Sequence, residues 1–154
     1  MKIFFLAAAI YSFCFFTSEA LAQTEVAIED VMFSDKWYSD LDDALANAEK
    51  VRYLDLSLQK LREFPMDILK LKHLTHLYLP FNYFPSVPGE IKQLEALEEL
   101  DLSGTYYLNS LPDELGELKN LKKLIVKDNM LPASVEQKIK NLLPNCEVSF
   151  SDHK

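Results

Sequence analysis

The sequence predicts an α/β solenoid, with a curved parallel sheet on the concave side, 3₁₀ or helical turns on the convex side and capping helices. Three observations predict it. A unit of about 23 residues recurs four times between positions 51 and 143 of the 154-residue chain. Each unit opens on apolar residues in period-two alternation, and the first three close on apolar residues spaced by three.

Taken in order, the chain opens with Lys2, an apolar run from Ile3 to Phe16 and then Ala20-Leu21-Ala22. A positive start, a short apolar segment and a small-residue site describe a secretory signal peptide over residues 1–22, cleaved after Ala22. The run is too short for a membrane span, which needs about 20 apolar residues. The chain is thus expected to be secreted or periplasmic, with no membrane insertion after cleavage. Residues 23–50 form a lead-in and N-terminal cap. Residues 23–36 show no strong periodicity, whereas Ser39 with Asp42 resembles a capping box opening a helix through Leu41, Ala44, Leu45 and Ala48.

The repeats follow at 51–73, 74–96, 97–120 and 121–143, the third with one inserted residue. Each opens as L-x-x-L-x-L, through Val51, Leu54 and Leu56; Leu74, Leu77 and Leu79; Leu97, Leu100 and Leu102; and Leu121, Leu124 and Val126. This alternation makes a short strand with one buried face. Three units close as P-x-x-[IL]-x-x-L, at Pro65, Ile68 and Leu71; Pro88, Ile91 and Leu94; and Pro112, Leu115 and Leu118. A spacing of three suits a 3₁₀ turn. No single unit buries enough apolar surface to offset the backbone entropy of ordering it, so the units must stack and share strand hydrogen bonds. Residues 144–154 are expected to end the array. Before them Ser134 and Gln137 resemble a second helix start, with Val135, Ile139, Leu142 and Leu143 at helical spacing and Pro144 as the stop. Cys146, Val148 and Phe150 then alternate as a last strand.

These motifs resemble the leucine-rich repeat superfamily, in the L-x-x-L-P-x-x-[IL] class found in Ras-pathway scaffold proteins and plant disease-resistance receptors. The resemblance covers residues 51 to about 150. It implies a leucine-rich-repeat solenoid that binds ligands on its concave strand face. It also implies a structural ladder at the ninth position of each unit, where Asn82 and Asn129 match, Thr105 is a known kind of replacement and Gln59 departs from the pattern.

Charge and composition narrow the function. Cleavage would remove Lys2 and Glu19 and leave the net charge at −8. That acidic balance argues against nonspecific attraction to nucleic acid or anionic membranes, which would need a basic patch. Cys146 would be left as a lone cysteine, so the core and not a disulfide framework must hold the fold. On a cap strand it is read as a small buried apolar residue. His73 and His76 lie where their side chains diverge, with no further Cys or His in sequence to complete a zinc site. No metal, no cofactor and no catalytic residues are expected, since the sequence shows no Ser/His/Asp spacing, no phosphate loop and no paired carboxylates in a repeated setting.

What remains is a binding surface. The third and fifth positions of each opening motif point away from the core: Tyr53 and Asp55, His76 and Tyr78, Glu99 and Asp101, Lys123 and Ile125. Lys122 and Lys127 add positive charge near the last pair. Beside the ninth position runs an apolar strip of Leu58, Phe81, Tyr83, Tyr106 and Met130. Such a strip either anchors a partner or stacks on itself to shield the ladder. The partner expected is a protein or peptide; an aromatic strip also stacks on sugars, so carbohydrate stays open. The alternative is a structural or adhesive surface component acting by self-association.

Overall fold

The structure, a computed structural model, describes residues 36–151. The signal-peptide segment, most of the lead-in and His153 lie outside the described residues.

One six-stranded parallel sheet organises the fold, its strands lying side by side in chain order. They are β1 (Trp37–Tyr38), β2 (Tyr53–Asp55), β3 (His76–Tyr78), β4 (Glu99–Asp101), β5 (Lys123–Val126) and β6 (Glu147–Phe150). Register follows the repeat, with Leu54 paired to Leu77, Leu77 to Leu100 and Leu100 to Leu124. These leucines are fully buried and the first and sixth positions of the units are buried with them, so every opening motif delivers three side chains to one continuous core. No strand is long enough to stand alone. Each exists because its neighbour one repeat away supplies the hydrogen bonds and shares the apolar face.

The opposite wall is built from 3₁₀ turns at Met66–Lys70, Gly89–Gln93 and Asp113–Glu117. Each is preceded by its proline, whose carbonyl accepts the first turn bond, from Ile68, Ile91 and Leu115 N–H. Proline has no N–H to leave unsatisfied at such a start. The fourth unit replaces this turn with α2 (Ala133–Leu142), which buries Ile139 against the core. The observed fold is an α/β solenoid, as the repeats predict.

The ends differ in detail from expectation. The first helix, α1 (Leu41–Ala46), is capped by Asp40, whose carboxylate accepts from Asp43 N–H at 2.9 Å, and not by Ser39 with Asp42. Asp is as good an N-cap as Ser, and one step in register placed Asp40 there. The helix also ends at Ala46, short of Ala48. The helix α2 starts after Pro132 without a side-chain cap, so Ser134 and Gln137 form no capping box. Cys146 precedes β6, half-buried against the core, and burial together with the neighbouring Glu147 charge pushes its thiol pKa up. Sequence analysis expects no strand before Val51, yet β1 pairs with β2 through Trp37 and Tyr53. Two residues are too few to show a period.

Candidate functional site

Two surfaces carry the candidate residues. The first is the strand face, where positions three and five stand clear of the core between buried leucines. Position three reads Trp37, Tyr53, His76, Glu99, Lys123 and Glu147 across the sheet. Its first half is aromatic: Tyr53 lies 5.0 Å from Trp37 and 4.7 Å from His76 between ring centroids, and Tyr78 of position five lies 5.1 Å from Trp37.

Its second half is charged and internally satisfied. Glu99 accepts from Tyr78 Oη at 2.8 Å and from Lys123 Nζ at 3.0 Å. Burial raises the Glu99 carboxyl pKa, but the Lys123 and Tyr78 hydrogen bonds outweigh it and hold the group below its ordinary range. Lys123 is shifted up by the same contact, and burial with the Glu99 bond drives the Tyr78 phenol far up. Lys122 pairs with Glu98 at 2.6 Å. Asp55 and Asp101 are occupied too, each accepting from the N–H and hydroxyl of the serine two residues on, Ser57 and Ser103. Ile125 completes position five, beside Asp101.

The second surface is the loop edge that follows the strands. At the ninth position Asn82 is fully buried. Its amide donates to Leu56 O at 3.0 Å and Leu79 O at 2.9 Å, and its carbonyl accepts from Leu61 N–H at 3.0 Å. Thr105 reaches Leu79 O at 3.5 Å and Asn129 reaches Leu102 O at 3.1 Å, so each donates to the sixth-position carbonyl of the unit before. Gln59 does not join them. It is exposed and donates to Ser39 O, because its longer side chain stays on the surface and meets the residue before the α1 cap. The ladder is therefore Asn82, Thr105 and Asn129, and the assignment of Gln59 to it is corrected. Asn129 Oδ1 is buried without a partner among the described residues. The inserted residue of the third unit explains it: Leu108 N–H, 21 positions back as Leu61 is from Asn82, instead bonds Thr105 O.

Positions eight and ten flank this ladder and, Gly104 apart, are exposed. Position eight holds Leu58, Phe81, Gly104 and Asp128, and all four have left-handed backbone, with φ between 57° and 61°. The inter-repeat bonds dictate it: Leu58, Phe81 and Gly104 N–H donate to the seventh-position carbonyls of the next unit, Pro80, Ser103 and Lys127. Gly and Asp tolerate this conformation, whereas Leu and Phe do so at a cost of about 1–2 kcal/mol each. Both are also solvent-exposed, Leu58 at 68% and Phe81 at 54%. The Phe81 ring lies against Gly104, where a Cβ would sit 2.5 Å from its edge.

Position ten holds Lys60, Tyr83, Tyr106 and Met130, the last three being exposed apolar side chains. Tyr107, the extra residue of the third unit, stands edge-on to Tyr106 at 5.1 Å and faces Tyr83 at 6.2 Å. With Arg62, Pro85 and Asn109, Tyr83 and Tyr107 line an open notch of about 530 Å³. The Phe81, Tyr83, Tyr106 and Met130 strip thus lies together on one edge. Sequence reasoning missed Trp37, Tyr107 and Arg62; the doubled tyrosine at the insertion was the available signal for the second. His73 bonds Glu49 at 3.1 Å, away from the strand face where His76 stacks on Tyr53. Among the described residues no three His, Cys, Asp or Glu are grouped to hold a metal, and no helix is long and apolar enough to cross a membrane.

The profile of the Leucine Rich Repeat family matches residues 96–118, the third unit. Among solved structures, an LRR protein of Leptospira interrogans superposes on 75% of this chain and 34% of its own, at 33% identity and a TM-score of 0.50. The chain is a leucine-rich-repeat protein. The repeat array also resembles TMV resistance protein N of Nicotiana glutinosa, at 35% identity over 80 residues, and an adenylate cyclase of Schizosaccharomyces pombe, at 34% over 79. Those matches take in 49% and 51% of this leucine-rich-repeat chain but only 7% and 5% of the two relatives, so what is shared is the repeat array.

Proposed function

We propose that the chain is a secreted or periplasmic interaction module that binds a protein or peptide through its concave strand face and the adjoining aromatic edge. The observation that carries this reading is the edge itself. Leu58 and Phe81 are apolar side chains left more than half exposed on left-handed backbone, a combination that costs backbone strain and returns only part of the burial such side chains could gain. Residues held against stability in this way are accounted for by a partner that covers them. The reaction is binding alone, with no catalytic step. Secretion rests on the signal-peptide pattern of residues 1–22.

The test is a pull-down with the immobilised chain beside a variant carrying Phe81, Tyr83 and Tyr106 all changed to Ala. A partner retained by the first and lost by the second supports the reading, provided circular dichroism shows the variant folded. Retention unchanged in the variant makes the strip a structural shield. The second reading, self-association as a surface component, is favoured by the same uncovered strip, and sedimentation at rising concentration separates it.

A further inference from the structure

The cations of the described chain are nearly all engaged. Lys36, Lys70, Lys92, Lys122, Lys123 and Lys138 pair with carboxylates, Arg52, Lys72 and Lys119 bond neutral oxygens, and Lys140 lies over Phe150. Lys50 also has a partner. Lys60, Arg62 and Lys127 form no side-chain hydrogen bond or ion pair among the described residues, and all three lie on the loop edge. Lys60 stands at position ten and Arg62 two residues on, while Lys127 O receives the position-eight bond of Gly104. In a chain of net charge −8, these three cations on one edge are free to meet an anion from outside.

Arg62 is the one of these that lines the notch, across from the Tyr83 and Tyr107 pair, and no carboxylate shares the lining. A guanidinium offers a planar fork of donors matched to a carboxylate. The tyrosines are rigid amphipathic walls of the kind that dominate recognition surfaces. The strip that continues from the notch includes Leu58 and Met130, which present no flat ring to a sugar and are covered best by apolar side chains.

We propose that this notch is a subsite for an extended acidic peptide segment: Arg62 receives the carboxylate of an Asp or Glu, Tyr83 and Tyr107 wall the notch around it, and apolar residues flanking the acid lie along Leu58 and Phe81. The proposal rests on the binding reading above and names the chemistry of its partner. Arg62 is exposed and forms no side-chain hydrogen bond or ion pair among the described residues, so its replacement is expected to leave the array folded, which circular dichroism checks.

The experiment selects phage-displayed random heptapeptides on the full chain, on Arg62→Gln, on Arg62→Glu and on the Phe81→Ala, Tyr106→Ala double variant. The wild type is expected to enrich sequences with an Asp or Glu beside apolar residues, and Arg62→Glu to enrich Lys or Arg instead. The best synthetic peptide should bind Arg62→Gln at least about tenfold more weakly, and changing its own acid to the amide should add no further loss on that variant. Enriched peptides without an acidic residue, or equal binding by Arg62→Gln, overturn the subsite; if the double variant then still loses those peptides, the edge reading stands without it. Selection of no peptide, alongside binding of oligogalacturonate lost on Arg62→Gln, rejects a peptide occupant in favour of an acidic sugar. Selection of nothing by either probe overturns the subsite.

Discussion

The strand face and the loop edge are built from the same repeat, yet they treat their polar and apolar groups in opposite ways. On the strand face Glu99, Tyr78 and Lys123 satisfy one another, Asp55 and Asp101 are held by their serines, and the aromatic residues stack in a row. On the edge Leu58 and Phe81 sit more than half exposed on strained backbone, and Arg62 forms no ion pair among the described residues. The strand face is arranged for stability and the edge against it. Local sacrifice of stability is where function concentrates, so the difference ranks the edge first as the binding surface.

The comparison is tested most severely at the ladder beneath the edge. Changing Asn82 to Ala strands Leu56 O and Leu61 N–H and leaves Leu79 O only its longer bond from Thr105, and should cost about 3 kcal/mol in urea unfolding, whereas Asn129→Ala, which makes one bond and already carries an orphan oxygen, should cost nearer 1 kcal/mol. Equal losses would mean that the inserted residue does not weaken the last rung. Next in size is Gly104→Ala. It places a Cβ into the Phe81 ring at a left-handed position and should cost about 2 kcal/mol, with part of the loss relieved when Phe81 is also made Ala.

On the strand face Glu99→Gln should cost about 1 kcal/mol or less, since the triad is partly solvated. Because the fold holds Glu99 below the ordinary carboxyl range, its contribution is complete above the unfolded value near about 4.3 and is lost as pH falls through the lower folded value. Lys123, held above its ordinary value, loses its contribution only as pH rises through the alkaline range. The mutant's acid-unfolding profile should therefore be flatter than that of the wild type below about pH 4. The smallest effect has the opposite sign: Leu58→Asn should stabilise by about 0.5–1 kcal/mol while weakening partner binding. A variant that gains neither stability nor a binding defect would place Leu58 with the shielding residues.

The core was legible because burial imposes a strict pattern: every leucine of the opening motifs and every Ile or Leu after the prolines is where spacing puts it. The eight or nine residues between each opening motif and its proline obey weaker rules. Position eight is an example, since its left-handed backbone is set by a bond to the next unit, which no single unit displays. The caps shifted by one residue because Ser39, Asp40 and Asp42 all have capping side chains and only the three-dimensional entry of the chain chooses among them. Gln59 left the ladder for a contact with Ser39 twenty residues earlier. Arg62 was unreadable for the same reason: its significance lies in having no partner, and partners are a property of the fold.

The order of the sheet has a mechanical consequence. Each strand bonds only to the strands beside it in chain order, and no segment crosses over another. A force drawn along the stack meets the units in series, so the array yields by peeling from whichever end is loaded and does not rupture at once. Each 23-residue unit released would add about 80 Å of slack at full extension. Under load such an array is expected to lengthen by one unit while those still stacked keep their edge presented.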